Sequence, residues 1–245
     1  MFSIKNFEII VTGGASGIGK EISLGLINQG ASITILDIKK PILNVSKEFN
    51  FINCDLGDIK SIKKALTTCY KKIKYINGLV NCAGITISKE ALNYNYADWI
   101  KTININLTGP FFLCQEVAKK MIKDKVSGSI VNFTSIGAEE GFENNPAYAA
   151  SKGGLKTLTK SLATEWGKYN IRLNNIVPGY TNTPMNKKSW NDKKSMKKRA
   201  ERTSLNRWAK PEEMLGSTIF LLSSESSYVT GSDLIVDGGW TSKGM

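Results

Sequence analysis

The sequence predicts an α/β domain built on a doubly wound parallel sheet of seven strands, with helices on both faces. Three observations lead there. Short, near-continuously apolar runs alternate with longer stretches of helical periodicity, the pattern of parallel strands covered on both sides. The first run ends in a glycine-rich turn, Thr12-Gly13-Gly14-Ala15-Ser16-Gly17-Ile18-Gly19, that leads into a helix. No repeat, low-complexity linker or Pro/Gly-rich break divides the 245 residues, so 1–245 reads as one domain.

The strands are expected at Glu8–Thr12, Ser32–Asp37, Phe51–Cys54, Gly78–Asn81, Ser129–Thr134, Arg172–Val177 and Asp233–Val236. Between them, Lys20–Gln29 reads as a helix stopped by Gly30, followed by Ile59–Lys72, Tyr96–Asn106 and Phe111–Lys123. Ala147–Gly167 carries Leu155, Leu158, Leu162 and Trp166 at helical spacing. Pro211–Leu222 starts with proline where a first helical turn tolerates it. Strand and helix in alternation imply right-handed crossovers, and ligands of such sheets bind beyond the carboxyl ends of the strands.

Composition narrows the chemistry. The chain has no histidine, which excludes Ser-His-Asp and Cys-His catalysis, HExxH zinc sites and any His-ligated metal. Cys54, Cys69, Cys82 and Cys114 form no CxxC pair, so free thiols in a reducing cytoplasm are expected, with no metal site and no disulfide. The first residues lack the apolar core of a signal peptide, and no apolar run approaches the ~18 residues of a membrane span. Net charge is +12, and nine basic against two acidic residues fall between Asn186 and Arg207. Such a field attracts an anionic metabolite, a nucleic acid or a membrane, or is a solvated lysine-rich face. No aromatic-interleaved basic motif or helix-turn-helix signal accompanies it, so no nucleic acid is expected.

Glycines at a strand-to-helix turn let the backbone approach a ligand closely, and the helix N-terminus offers free N–H groups to a diphosphate. Gly13, Ser16, Gly17, Ile18 and Gly19 are the candidates. The second strand ends in Asp37, 20 residues after Gly17. At about that offset a carboxylate takes the ribose diol and repels a 2′-phosphate. Ser16 and Ile38 are not basic, which favours NAD over NADP, although Lys39 and Lys40 lie close.

Tyr148 and Lys152 are four apart on one helix face, after a strand that ends at Ser135. An ammonium near the phenol favours its ionised form; lowering a pKa by about 3 units takes about 4 kcal/mol. Such a pair is common by itself. Here Thr12-Gly13-x-x-x-Gly17-x-Gly19, Asp55, Asn81-Cys82-Ala83-Gly84, Asn106, Ser135, Tyr148-x-x-x-Lys152 and Pro178-Gly179 follow one another in a single domain. This series resembles the short-chain dehydrogenase/reductase family over about residues 7–240, with Cys82 standing where asparagine is usual.

The resemblance implies a Rossmann-type fold and hydride transfer between a nicotinamide and a secondary alcohol or ketone. It implies Tyr148 as general acid/base, Lys152 as the group that lowers its pKa and holds the nicotinamide ribose, Ser135 on the substrate oxygen, and Asn106 in a proton relay. Asp55 and Leu56 would meet the adenine; Asn81, Ala83 and Gly84 would line the cofactor path. Pro178, Gly179, Thr181 and Thr183 would face the nicotinamide and diphosphate. A substrate lid over about 183–207 would carry Lys187, Lys188, Lys193, Lys194, Lys197, Lys198, Arg199 and Arg202, with Met185, Trp190 and Met196 as apolar walls.

Three substrate classes stay open: a sugar, sugar acid or nucleotide-linked sugar; a 3-oxoacyl thioester on acyl carrier protein; a polyol or steroid-like alcohol. The family's acyl reductases mostly use NADPH, against Asp37. The ending Val236-Asp237-Gly238-Gly239-Trp240 resembles members of the gluconate 5-dehydrogenase kind, and tips the reading to sugars. A catalytically idle NAD-binding regulator is the reading of another class; such a protein needs the glycine loop but not Asn106, Ser135, Tyr148 and Lys152 together. The resemblance also implies a homotetramer of D2 symmetry, or a homodimer, through the helices of 96–123 and 147–167.

Overall fold

In the computed structural model, which describes residues 2–45 and 49–243, seven strands form one sheet. They are β1 (Glu8–Thr12), β2 (Ser32–Asp37), β3 (Asn50–Asn53), β4 (Gly78–Asn81), β5 (Gly128–Phe133), β6 (Ile171–Pro178) and β7 (Asp233–Val236). Their order is β3-β2-β1-β4-β5-β6-β7 and every neighbouring pair is parallel. The helices are α1 (Gly17–Asn28), α2 (Ile59–Tyr70), α3 (Tyr96–Ile103), α4 (Gly109–Asp124), α5 (Pro146–Trp166), α6 (Lys187–Asn191), α7 (Lys193–Arg202) and α8 (Leu215–Leu222).

Side-chain alternation sorts each strand between two cores. Ile10, Leu79, Ile130 and Leu173 pack with Ile62 and Leu66 of α2, Val117 of α4 and Leu162 of α5. Their chain neighbours Ile9, Val11, Val80 and Val131 pack on the other face with Ile22 and Leu26 of α1 and Leu221 of α8. Each such side chain, fully buried, contributes about 1.5–3 kcal/mol, so both faces are apolar and the strands read as continuous runs. The expected Rossmann-type architecture is the observed one.

Boundaries differ from expectation in ways the physics explains. The first helix starts at Gly17 rather than Lys20, so the last glycines of the loop are its first turn. β3 sits one residue earlier than expected, in parallel register with β2 from Thr34–Asn50 to Asp37–Asn53. No gap separates the helices expected at 96–106 and 111–123: a π-helical turn, Asn104–Thr108, joins α3 directly to α4, which starts at Gly109. Pro110 follows directly on the π turn inside this continuous helical stretch, where the irregular hydrogen bonding accommodates a residue without an N–H. A π turn inserts one extra residue into a helix, and such turns gather at functional sites. The 183–207 region forms two short helices, α6 and α7, neither with a buried residue.

Candidate active site

The strand order reverses between β1 and β4, and a cleft of about 1860 Å³ opens there along the carboxyl ends of the strands. It runs from Asp37 and Asp55 at one end to Arg202 and Trp240 at the other.

The glycine loop is shaped by close approach. Gly13 has φ +70° and a Cβ there would lie 2.8 Å from the Ala83 backbone; a Cβ on Gly19 would lie 2.3 Å from the Gly13 carbonyl oxygen. Thr12 Oγ1 accepts from the Ala83 N–H at 3.1 Å, which ties the ends of β1 and β4 together. Ser16 is the N-cap of α1 yet makes no capping bond with its side chain, so its hydroxyl and the first N–H groups of the helix stay available. Across the cleft, Gly17 (φ +54°) faces Thr183 at 3.5 Å from where its Cβ would be. Uncapped donors at a helix N-terminus, with backbone left bare by glycine, fit a dinucleotide diphosphate. Asp37 Oδ2 accepts from the Ala15 N–H at 3.0 Å and Oδ1 from the Lys39 N–H at 2.9 Å, so the carboxylate is fixed at the cleft edge.

The other chemistry lies beyond β5 and at the start of α5. Ser135 caps a short turn, its Oγ accepting from the Gly137 N–H at 3.0 Å. Tyr148 stands in the first turn of α5 and Lys152 one turn on, with Nζ 5.8 Å from the phenol ring centre. Lys152 Nζ donates to the Phe133 carbonyl at 2.7 Å. Burial lowers the lysine to about 8, and Cys82 partly offsets that. Burial pushes the Tyr148 phenol up; the neighbouring Ser135 hydroxyl opposes the rise and Tyr180 adds to it. The amine beside the phenol was expected to make it acidic; in the protein's own field, burial dominates both groups, raising the phenol and lowering the amine.

Of the sequence-predicted cofactor and catalytic residues, all but Asn81 and Asn106 line this one cleft. Asn106 lies behind its wall on the π turn. Its Oδ1 accepts from the Ile85 N–H and its Nδ2 donates to the Ile85 carbonyl, both at 2.9 Å, and Nδ2 reaches Ser151 Oγ at 3.1 Å. A Cβ on Gly84 would lie 3.3 Å from Asn106 Oδ1 and 3.6 Å from Lys152 Nζ, so the three groups converge. Asn81 faces the interior rather than the cofactor path. Its Nδ2 donates to Asn132 Oδ1 at 2.8 Å and begins a buried polar chain. Asn132 Nδ2 continues to Thr159 Oγ1 (2.8 Å), Thr159 to Asn175 Oδ1 (2.7 Å), and Asn175 Nδ2 to Asp233 Oδ1 (2.7 Å). This chain links α5, and with it Tyr148 and Lys152, to four strands, β4, β5, β6 and β7. Only an asparagine recurring inside apolar strands could have signalled it.

The expected apolar walls are also redistributed. Met185 lines the cleft, but Trp190 packs on Trp208 (5.4 Å between ring centres) and the Met196 carbonyl accepts from Trp208 Nε1 at 3.1 Å. Phe142, Tyr180 and Trp240 form the wall instead, with Tyr180 and Trp240 4.9 Å apart. Sequence reading missed Phe142 and Tyr180, which sit in loops without periodicity.

A glycine-cradled dinucleotide crevice beside Ser135, Tyr148 and Lys152 defines an oxidoreductase that uses a nicotinamide dinucleotide on CH–OH groups. A family model described as enoyl-(acyl carrier protein) reductase matches residues 13–241, and the chain belongs to the short-chain dehydrogenase/reductase family. It is 33% identical to the 2-dehydro-3-deoxy-D-gluconate 5-dehydrogenase of Escherichia coli, over 99% of this chain and 98% of that one. It is 38% identical to a 3-oxoacyl-(acyl-carrier-protein) reductase of Thermotoga maritima, over 94% and 96%. The solved 4-hydroxyisoleucine dehydrogenase with NADH is similar in fold, with a TM-score of 0.93 at 31% identity over 98% of this chain and 100% of that one. Solved relatives hold NADP or NADH. Among the described residues no helix is long and apolar enough to cross a membrane.

Proposed function

We propose that this chain is an NAD(H)-preferring dehydrogenase of a secondary alcohol on a sugar or sugar acid, with Tyr148 as general acid/base. The observation that carries the reading is the convergence of Ser135, Tyr148 and Lys152 on one cleft with the glycine cradle. The sugar-acid class is supported by similarity to the Escherichia coli enzyme. Preference for NAD is supported by the Asp37 carboxylate held at the cleft edge.

The glycine loop with Ser16 holds the diphosphate, Asp37 the adenosine ribose, and Asp55 and Leu56 border the adenine. Ala83, Gly84, Pro178, Gly179, Thr181 and Thr183 flank the nicotinamide half. When bound, the dinucleotide supplies the hydride acceptor or donor and, oxidised, a positive charge. Ser135 hydrogen-bonds the reacting oxygen while the Tyr148 phenolate takes its proton in oxidation and returns it in reduction. Lys152 holds the ribose and, through the region organised by Asn106, relays the proton toward solvent. The segment 183–207 is the substrate lid, as its two helices without buried residues support.

A second reading, reduction of 3-oxoacyl thioesters on a carrier protein, is favoured by the 38% identity to the Thermotoga maritima reductase. A panel of sugar acids, sugars, nucleotide sugars and 3-oxoacyl thioesters, followed by NADH and NADPH absorbance, decides between the two. Tyr148→Phe is expected to lower kcat by about 10²–10⁴-fold with NADH affinity unchanged. Full turnover in the purified variant refutes the assignment.

We place the protein in the cytoplasm, on the strength of its four free cysteines. A homotetramer, or a homodimer, is supported by the exposure of Tyr96 (79%) and Trp99 (37%) on α3. Light scattering should return a multiple of the 26.9 kDa chain mass.

A further inference from the structure

Five cations of α6 and α7 face the cleft, and their surroundings separate them. Lys188, Lys194 and Lys198 are exposed and solvated. Arg202 is already satisfied: its guanidinium stacks 4.3 Å over Trp240, and Nη2 donates to Glu140 Oε2 at 2.6 Å. The same oxygen accepts from Trp240 Nε1 at 3.1 Å, so Glu140, Arg202 and Trp240 form a closed unit that fastens α7 to the body.

Arg199 is different. It is half-buried, its guanidinium carbon lies 4.9 Å over the Tyr180 ring, and it has no ion-pair partner among the described residues. Its Nη1 is shielded from solvent and makes no hydrogen bond. The only other such side-chain atom among the described residues is Asn81 Oδ1. A buried charged donor without an acceptor is costly, and native structures supply one. Stacking on Tyr180 occupies a face of the guanidinium and leaves its N–H edge, which suits a planar two-oxygen anion bound side-on. Tyr180 also lies close enough to Tyr148 to act on its phenol, so the guanidinium and the reacting end share one chamber.

We propose that Arg199, held by Tyr180, is the receptor for a substrate carboxylate, so that the enzyme selects hydroxy acids over their neutral counterparts. The proposal rests on the dehydrogenase reading above and names the feature of the substrate that this end of the site recognises. The carboxylate takes the Arg199 edge while the carbinol to be oxidised lies against Ser135 and Tyr148. The cofactor diphosphate is assigned to the glycine loop and makes no demand on Arg199.

The test compares wild type, Arg199→Gln and Arg199→Lys on D-gluconate, 2-dehydro-3-deoxy-D-gluconate and 4-hydroxyisoleucine, each beside its carboxamide. A binding arm titrates each acid and amide into the enzyme–NADH complex and follows NADH fluorescence. Wild type should prefer at least one acid over its amide by tenfold or more. Arg199→Gln should raise KM or Kd for that acid by about 10–100-fold and erase the preference, with NADH affinity within twofold. Arg199→Lys, which keeps the charge but loses the fork, should recover part of the acid binding. Equal losses for acid and amide, a preference that survives in Arg199→Gln, or a wild type that prefers no acid in either arm, overturns the proposal. A weakened NADH affinity overturns it too, since Arg199 then serves a cofactor phosphate. If wild type oxidises none of these compounds, the dehydrogenase reading fails on them by itself, and the binding arm still decides the role of Arg199.

Discussion

The two ends of the cleft are built by different means. The dinucleotide end is backbone: bare glycines, a helix N-terminus and strand ends locked into the sheet, with Gly19 so placed that a Cβ would lie 2.3 Å from the Gly13 carbonyl oxygen. The substrate end is side chains: Phe142, Tyr180, Trp240 and a row of cations on α6 and α7, helices without one buried residue. The first is over-determined by packing and has little freedom to vary. The second is held by a few aromatic and ionic contacts, and loosely anchored elements are where ligand-binding segments are drawn from. Specificity can therefore change at the side-chain end while the dinucleotide cradle stays fixed at the other.

The largest break in this contrast is expected at the rigid end. Gly19→Ala forces a methyl group into the Gly13 carbonyl and should cost about 2–4 kcal/mol of stability, with NADH binding lost. Thermal unfolding and NADH fluorescence check it; a variant that binds normally would mean that the loop is plastic. Next, Asp37→Ser should lower kcat/KM with NADH by about tenfold, equivalent to about 1.4 kcal/mol, and raise it with NADPH. An unchanged NADH/NADPH ratio would remove Asp37 from cofactor choice.

The smallest effect is expected just beyond the 183–207 segment. Glu213 accepts from both terminal nitrogens of Arg207 at 2.7 Å and from the Lys210 N–H at 2.7 Å. The Arg207 guanidinium, then the Lys210 amide, hold its carboxyl well below the ordinary glutamate range, at about 2. A depressed carboxyl gives stability that is complete above its unfolded pKa and lost as pH falls toward the folded one. Wild type should therefore lose more Tm between pH 5 and 2.5 than Glu213→Gln does, by about 2 °C because the pair is half-exposed. Equal pH slopes would show that this contact contributes nothing.

What the sequence discloses follows the same division. The strands were legible because burial on both faces demands unbroken apolar runs, and the glycine loop because only glycine fits it. Tyr148 and Lys152 were legible by spacing on α5. Arg199 was not separable from its neighbours in a basic stretch, since only its burial and the ring of Tyr180, 19 residues earlier, distinguish it. Asn81 was assigned to the cofactor path because its motif borders it; the direction of its side chain is set by Asn132 and Cys114, which the chain brings near only on folding. The helix over 96–124 was cut at the wrong place because periodicity cannot foresee an added residue in one turn.

That added residue at Asn104–Thr108 sets regularity against competence. Shortening the segment by one would let α3 run into α4 as an ordinary α-helix, with better backbone geometry, and would rotate Asn106 away from Ile85. At this spot the more comfortable helix forfeits the paired bonds of Asn106 to Ile85 behind the cleft wall, so a search for thermostable variants that screens melting alone would be drawn toward molecules that have lost them.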